Sequence, residues 1–319
     1  MTWEYALAMT WNIQEIPDHA LRLISVDGLG AATLSALISE TGGVAEAGEA
    51  VLRGETMQLI PGEAMRVLKQ KMERVEVDAI RWSADAIEAR VVLVTDKLFP
   101  AFLSPLPACP CALWYQGNLN VVHMPSVGVV GSRRCSNYGI QQATTFTTAF
   151  SEQGLTVVSG GARGIDGAAH RAALTSNGKT AVVLGSGLSI VYPPEHVSLF
   201  KAVVQEGGVV LSEFSCNRSP RPEYFPRRNR IVSGLSSSLL VVEAAKRSGA
   251  MITARIAVEE HGRQAYAIPG RIGDSASAGC LQALVDGWVS IAVEPQEIID
   301  ETKRAWSRFA AVSSCGARQ

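Results

Sequence analysis

VGVVGSRRCSNYG, residues 127–139, decides the fold. A short β-branched run ends at Gly131, a tight polar turn follows, and a helix-compatible stretch begins. The same rhythm recurs downstream. Short apolar, largely β-branched runs stand at 127–130, 156–158, 180–184, 209–211, 239–242 and 265–268, with about 10–20 residues of helical character between most of them. Strands alternating with helices of that length predict an α/β fold, a doubly wound parallel sheet with helices on both faces. Ligands of such sheets bind in the loops at the carboxyl ends of the strands.

Working outward, residues 1–75 carry apolar positions at helical spacing and predict a small helical domain. Its Gly28-Leu29-Gly30 turn reads either as the hairpin of a helix-hairpin-helix, whose amides meet a DNA phosphate, or as a glycine turn between packed helices. The stretch from Ser25 to Glu40 holds no Lys or Arg, which favours the packed turn. Residues 76–126 read as a linker and lead-in. They comprise a charged bridge (76–90), a strand at VVLVT (91–95) and an irregular proline-rich stretch (98–117). The sheet domain spans 127–303, and 304–319 reads as a helix end and loose tail.

The chain has 319 residues, 47% hydrophobic and 18% charged, as expected of about two globular domains. Its net charge of -1 means that any polyanion site must come from local clustering of Arg and Lys. The cysteines at 109, 111, 135, 216, 280 and 315 lack zinc-site spacing. The N-terminus has no basic stretch ahead of its apolar residues, and no apolar run approaches the roughly 18 residues of a membrane span. Reduced thiols, a cytoplasmic setting and no metal are the expectation.

Five loops carry the chemistry. The first holds Gly131, Ser132, Arg133 and Arg134, small residues and forked donors suited to phosphate. The second, SGGARGIDGAAH (159–170), offers Ser159, Gly160, Gly161, Arg163 and Gly164 before a helix starting near Asp166, an anion nest by pattern. The third, GSGLSIVYPP (185–194), has Gly-x-Gly without the third glycine of a dinucleotide fingerprint, so no nicotinamide cofactor is expected. The fourth places five arginines between Arg218 and Arg230, among them Arg227 and Arg228, interleaved with Tyr224, Phe225 and Asn229. Such a cluster is either a solvated basic loop or a nucleic-acid surface, where aromatic faces stack bases. Its place on the ligand edge favours the latter. The fifth, EAAKRSGAMITA (243–254), supplies Ser248, Gly249 and Thr253. No nucleophile–base pair stands out, so the loops describe a polyanion binder without a cofactor rather than an enzyme.

GSRRxSxYG, SGxARGIDxxAH, LGSGLxxxYP, FPxRNRxxxGLS, SGxxITA and AIPG occur in this order across about 90–291. In this the chain resembles the DprA/Smf family. The resemblance implies an extended Rossmann-like fold behind a SAM-like or helix-hairpin-helix domain. It implies a homodimer that binds single-stranded DNA and hands it to a RecA-type recombinase in natural transformation. It implies that Ser132, Arg133, Ser159, Gly160, Arg163 and Gly164 line a phosphate pocket, with Arg227, Arg228 and Arg230 beside it and Asn229 holding the loop. Asp166 and His170 match a family pair with a bracing role; Tyr192, Phe225 and Glu243 lie in or beside the same motifs.

The family's late S-x-G-[TC]-N-x-L-I segment reads here as SAGCLQAL (277–284), with Leu281 for Asn and Trp288 further on, an expected change in one pocket wall. The winged-helix domain that ends many members is not expected after residue 303. That departure supports an alternative, a member acting in phage defence or a toxin–antitoxin pair through a partner protein. A further alternative is a LOG-like nucleotide phosphoribohydrolase, whose PGGxGTxxE motif corresponds to SGAMITARIAVEE (248–260).

Overall fold

The structure, a computed structural model, describes residues 11–316. Ten strands form one sheet: β1 (Trp11–Asn12), β2 (Arg90–Leu93), β3 (Ala112–Gly117), β4 (Ser126–Val130), β5 (Thr156–Ser159), β6 (Thr180–Leu184), β7 (Val209–Ser212), β8 (Ser238–Val241), β9 (Gln264–Ala267) and β10 (Ser290–Ile291). Their spatial order is β1-β2-β3-β7-β6-β5-β4-β8-β9-β10. From β7 to β10 neighbours are parallel, and β3, β2 and β1 extend the β7 edge antiparallel.

The parallel strands from β4 to β9 are buried on both faces, so alternate residues enter different cores, while β10 is a short exposed edge. Val127, Val129, Val157, Leu240 and Tyr266 pack under α6 (Asn137–Glu152) and α7 (Ile165–Thr175). Val130, Val158, Leu239, Val241 and Ala265 pack under α9 (Tyr224–Leu235) and α10 (Gly249–Arg255). Helix α6 starts where the Ser136 hydroxyl accepts the Gly139 amide at 3.1 Å, and Ala143, Phe146 and Phe150 form its buried stripe. Connections from β4 through β7 progress to one side, while β8 and β9 lie on the other. The sheet therefore splits at β4, and the crevice above that switch point is the expected ligand site.

Three expectations are corrected. First, 76–126 is not a linker. Helix α5 (Val77–Asp85) buries Val77, Ile80 and Ala84, and β2 and β3 belong to the sheet. The spacing of those three apolar residues is helical, but the surrounding charges obscure it. Second, the proline-rich stretch ends in β3, where Trp114 is fully buried between β2 and β7. Third, the stretch from 304 to 316 is helical and not a loose tail, because helix α12 runs Pro295–Gly316, and the last three residues of that expectation lie outside the described residues. Trp306 and Phe309 pack their rings on Phe102 at 5.4 and 4.7 Å, which holds the last turns in place.

Helices α1 (Asp18–Ile24), α2 (Ala31–Thr41), α3 (Val44–Arg53) and α4 (Gly62–Glu73) join α5 around Leu21, Leu34, Leu37, Val51 and Met72. That core runs on into Val91 and Trp114 of the sheet. The Gly28–Gly30 turn packs through its middle residue and leaves Gly28 exposed. Gly28 takes φ +87°, Leu29 is buried, and the Ala31 amide donates to the Cys109 carbonyl at 3.2 Å. Among the described residues the cysteines are free and no His, Cys, Asp or Glu group has metal-site geometry. Burial pushes the Cys109 and Cys111 thiols up to about 12. No described helix is long and apolar enough to cross a membrane.

Candidate functional site

The loops after β4, β5 and β8 meet the N-terminal half of α9 around a pocket of about 660 Å³ at the switch point. Ser132, Arg133, Asp166, Phe225, Arg228 and Ser248 are among its lining residues. Gly160 is where Arg228 gains its place: a Cβ there would lie 2.3–2.6 Å from the guanidinium. Arg228 is 4% exposed, and its Nη1 donates to the carbonyls of Gly160 and Val183, tying α9 to the ends of β5 and β6. Burial lowers its pKa to about 10, the Arg133 charge adds to that, and Asp166 opposes it. Burial likewise raises the Asp166 carboxyl, while Arg228 and Arg133 pull it back.

Asp166 enters the nest read into 159–164. The Ala162 amide donates to Asp166 Oδ2 at 3.3 Å, and the Ile165 amide just beyond it to the Ser132 carbonyl at 3.2 Å. Asp166 thus braces the start of α7 from within. Side chains add donors for an outside anion. Arg133 is exposed and forms no ion pair among the described residues. The hydroxyls of Ser132 and Ser248 accept the amides of Arg134 and Met251, at 3.1 and 3.3 Å, which leaves each O–H to donate outward.

From one wall a ladder of alternating cations and rings runs outward, with Arg133, Phe225 and Tyr192 lining the pocket and Arg163 standing beyond it. Arg133 lies over Phe225 at 5.1 Å, Phe225 lies 5.5 Å from Tyr192, and Arg163 lies over Tyr192 at 5.7 Å. Gly185 seats the ladder, because a Cβ there would meet Phe225 Cδ1 at 2.9 Å. The Gly-x-Gly of 185–187 therefore makes room for a ring. Glu195 partly neutralises the outer rung by pairing with Arg163, one contact being 3.0 Å. Asn229 reaches across to the Gly249 carbonyl at 3.3 Å and fixes the β8–α10 loop. Glu243 accepts the Ser136 amide at 2.8 Å, so it organises the first loop from beneath.

Several expected site residues stand elsewhere. Residues 224–230 are helical, so successive side chains point in different directions. Arg227 pairs with Asp27 of the N-terminal helices at 2.5 Å and with Glu213 at 3.4 Å, and Arg230 pairs with Glu213 at 2.5 Å. Neither lines the pocket. Ser159 is fully buried and donates to the Val129 carbonyl at 2.6 Å. Gly161 is buried where a Cβ would meet Phe200 and Val182, and Gly164 crosses under the Ser132 carbonyl with φ +75°. The Arg134 side chain is exposed outside the pocket. Thr253 lines the pocket but spends its hydroxyl on the Gly249 carbonyl at 3.0 Å.

His170 is fully buried, donates through Nδ1 to Thr180 Oγ1 at 2.8 Å, and is pushed down to about 3 chiefly by burial. It is a neutral bracing residue whose hydrogen bond goes to Thr180 and not to Asp166. Leu281 on α11 (Ala278–Val285) does not wall this pocket; it lines a separate depression with Lys246 and Asp274. Glu259 and Glu260, the carboxylates of the 248–260 segment, also lie outside the pocket, and Glu259 pairs with Arg255 at 2.7 Å on the surface. Pro222, Pro226 and Ile252 add apolar lining; they lie within the loops marked by sequence, but their own residue types gave no sign of it.

Residues 90–303 match the family model described as DNA recombination-mediator protein A. Protein Smf of Escherichia coli strain K12 is 43% identical over 204 residues, which cover 64% of this chain and 54% of that protein. The match thus spans about half of Smf's length. DNA processing protein DprA of Streptococcus pneumoniae is 40% identical over 208 residues, 65% of this chain and 72% of that protein. Among solved structures, DprA from Streptococcus pneumoniae aligns with 90% of this chain and 98% of its own, at a TM-score of 0.72 and 30% identity. DNA processing protein A from Helicobacter pylori, whose structure is described in terms of its single-stranded DNA binding mode, aligns with 68% of this chain and 97% of its own, at a TM-score of 0.61 and 25% identity.

Proposed function

This chain belongs to the DNA recombination-mediator protein A family, and we propose that it binds single-stranded DNA in the switch-point pocket without cleaving it. The observation that carries the reading is the Arg133–Phe225–Tyr192–Arg163 ladder. Its guanidiniums suit phosphates and its rings suit unpaired bases, and a duplex offers no free base faces to stack. The described binding mode of the Helicobacter pylori relative supports the same ligand.

On this reading the bound strand is delivered to a RecA-type recombinase by a protein that acts as a homodimer. Delivery requires a strand held by its backbone and a few bases, which the side-chain donors and the ladder provide.

The test is equilibrium binding of matched single- and double-stranded oligonucleotides, followed by RecA-dependent strand exchange with and without the protein. Preferential binding of single strands together with faster exchange is the expected result. Binding with no effect on exchange would remove the delivery step and favour the phage-defence or toxin–antitoxin role.

A further inference from the structure

Between the N-terminal helices and the loop after β7 lies a second depression, of about 480 Å³. Its cations come from both sides: Lys71 and Arg74 at the end of α4, and Arg218 and Arg221 from the loop. Lys71, Arg74 and Arg218 form no ion pair among the described residues. Arg221 stands 4.0 Å from Glu223. Two carboxylates line the same space, Asp27 and Glu76. Asp27 is already engaged by Arg227 and by the Tyr224 hydroxyl at 2.9 Å. Lys71 Nζ donates to the Asp27 carbonyl at 3.3 Å, a neutral partner that leaves its charge uncompensated. In a chain of net charge -1, this concentration of cations is a local feature and not a reflection of overall charge.

The cleft and the switch-point pocket share a rim. Arg221 lines the cleft while the next residue, Pro222, lines the pocket, with Phe225 one helical turn further on. Ser215, Asn217 and Ser219 add small polar groups along the way. The cleft lacks the exposed aromatic ladder of the pocket, so its chemistry suits a phosphodiester backbone and not bases.

We propose that this interdomain cleft is the continuation of the strand path: nucleotides leaving the pocket lay their phosphates against Lys71, Arg74, Arg218 and Arg221. The inference rests on the single-strand reading of the pocket. It makes the N-terminal helices a second half of the binding surface, and it makes affinity depend on strand length.

The test uses the full chain and oligothymidylates of about 6 and about 20 nucleotides, bracketing a single site. Lys71→Glu/Arg74→Glu is predicted to leave the short strand's affinity unchanged and to weaken the long strand towards the short one's level. The salt slope for the long strand should fall by about 1.4, the share of two phosphates on a single strand. The milder Lys71→Gln/Arg74→Gln should shift the long strand in the same direction by less, which guards against a misfolded charge-reversal variant. Equal affinity of variant and wild type for the long strand, or equal weakening for both lengths, would overturn the cleft. Failure of wild type to bind either strand would instead overturn the pocket reading, and the cleft with it.

Discussion

Phe225 and Arg133 stand at opposite ends of what residue types alone can tell. An exposed arginine in a glycine loop reads as a phosphate donor wherever it falls, and it is found at the pocket. A phenylalanine beside five arginines gives no sign of whether it stacks or packs; only Gly185 beneath it explains its position. Phe225→Ala is predicted to weaken single-strand binding by about 1–3 kcal/mol, the worth of one stacked base, with duplex binding unchanged. Fluorescence anisotropy with both strand types checks this. Arg228 was grouped by sequence with Arg227 and Arg230, but burial sets it apart. Arg228→Met leaves the Gly160 and Val183 carbonyls without a donor, so a loss of about 2 kcal/mol in unfolding free energy is expected by urea denaturation. Unchanged stability would contradict its bracing role. The number of arginines in 218–230 was legible; which way each pointed was not, because 224–230 reads as a loop and folds as a helix.

At the scale of elements, α9 joins the two halves of the molecule through Asp27, which accepts from Arg227 and Tyr224. Burial acts to raise the Asp27 pKa, but the hydrogen bonds from Arg227 and Tyr224 and the charges of Arg227 and Arg218 outweigh it, leaving it below 3.8. A carboxyl depressed in the folded state stabilises above its unfolded pKa of about 3.9, and the contribution disappears as pH falls through the folded value. Asp27→Asn is therefore predicted to melt lower than wild type near neutral pH, with the gap closing below about pH 4. Differential scanning calorimetry across pH reads the gap; one that is constant with pH would contradict the ion pair. Helix α12 makes a second case. Trp306→Ala uncovers Phe102 and is predicted to cost about 2 kcal/mol, read by the same denaturation, since the indole is half-buried. Six of the seven parallel strands were legible because each lies in a short apolar, largely β-branched run of a doubly buried sheet, whereas β10 is only two residues long. Strand β3 was hidden by the prolines ahead of it. The outer helices were hidden because partial burial leaves charged residues among their apolar positions.

Over the whole molecule, a net charge of -1 is reconciled with a polyanion ligand by where the cations stand. Arg227, Arg230 and Arg255 are spent on internal pairs, while Arg133 at the pocket and Lys71, Arg74 and Arg218 at the cleft are left to the solvent. The family and the sheet were legible in ordered motifs, since glycines and hydroxyls at strand ends mark the ligand edge. The division of cations between ligand and scaffold depends on contacts between segments far apart in the chain, such as Asp27 with Arg227, and no local pattern encodes it. The measurement that tests the account most directly is single-strand affinity as a function of salt for wild type and Arg133→Glu. The account predicts wild-type binding that falls with salt, and a variant that binds more weakly with a shallower slope, by about 0.7 for the phosphate it no longer holds. A variant with wild-type affinity and slope would contradict a strand in the switch-point pocket.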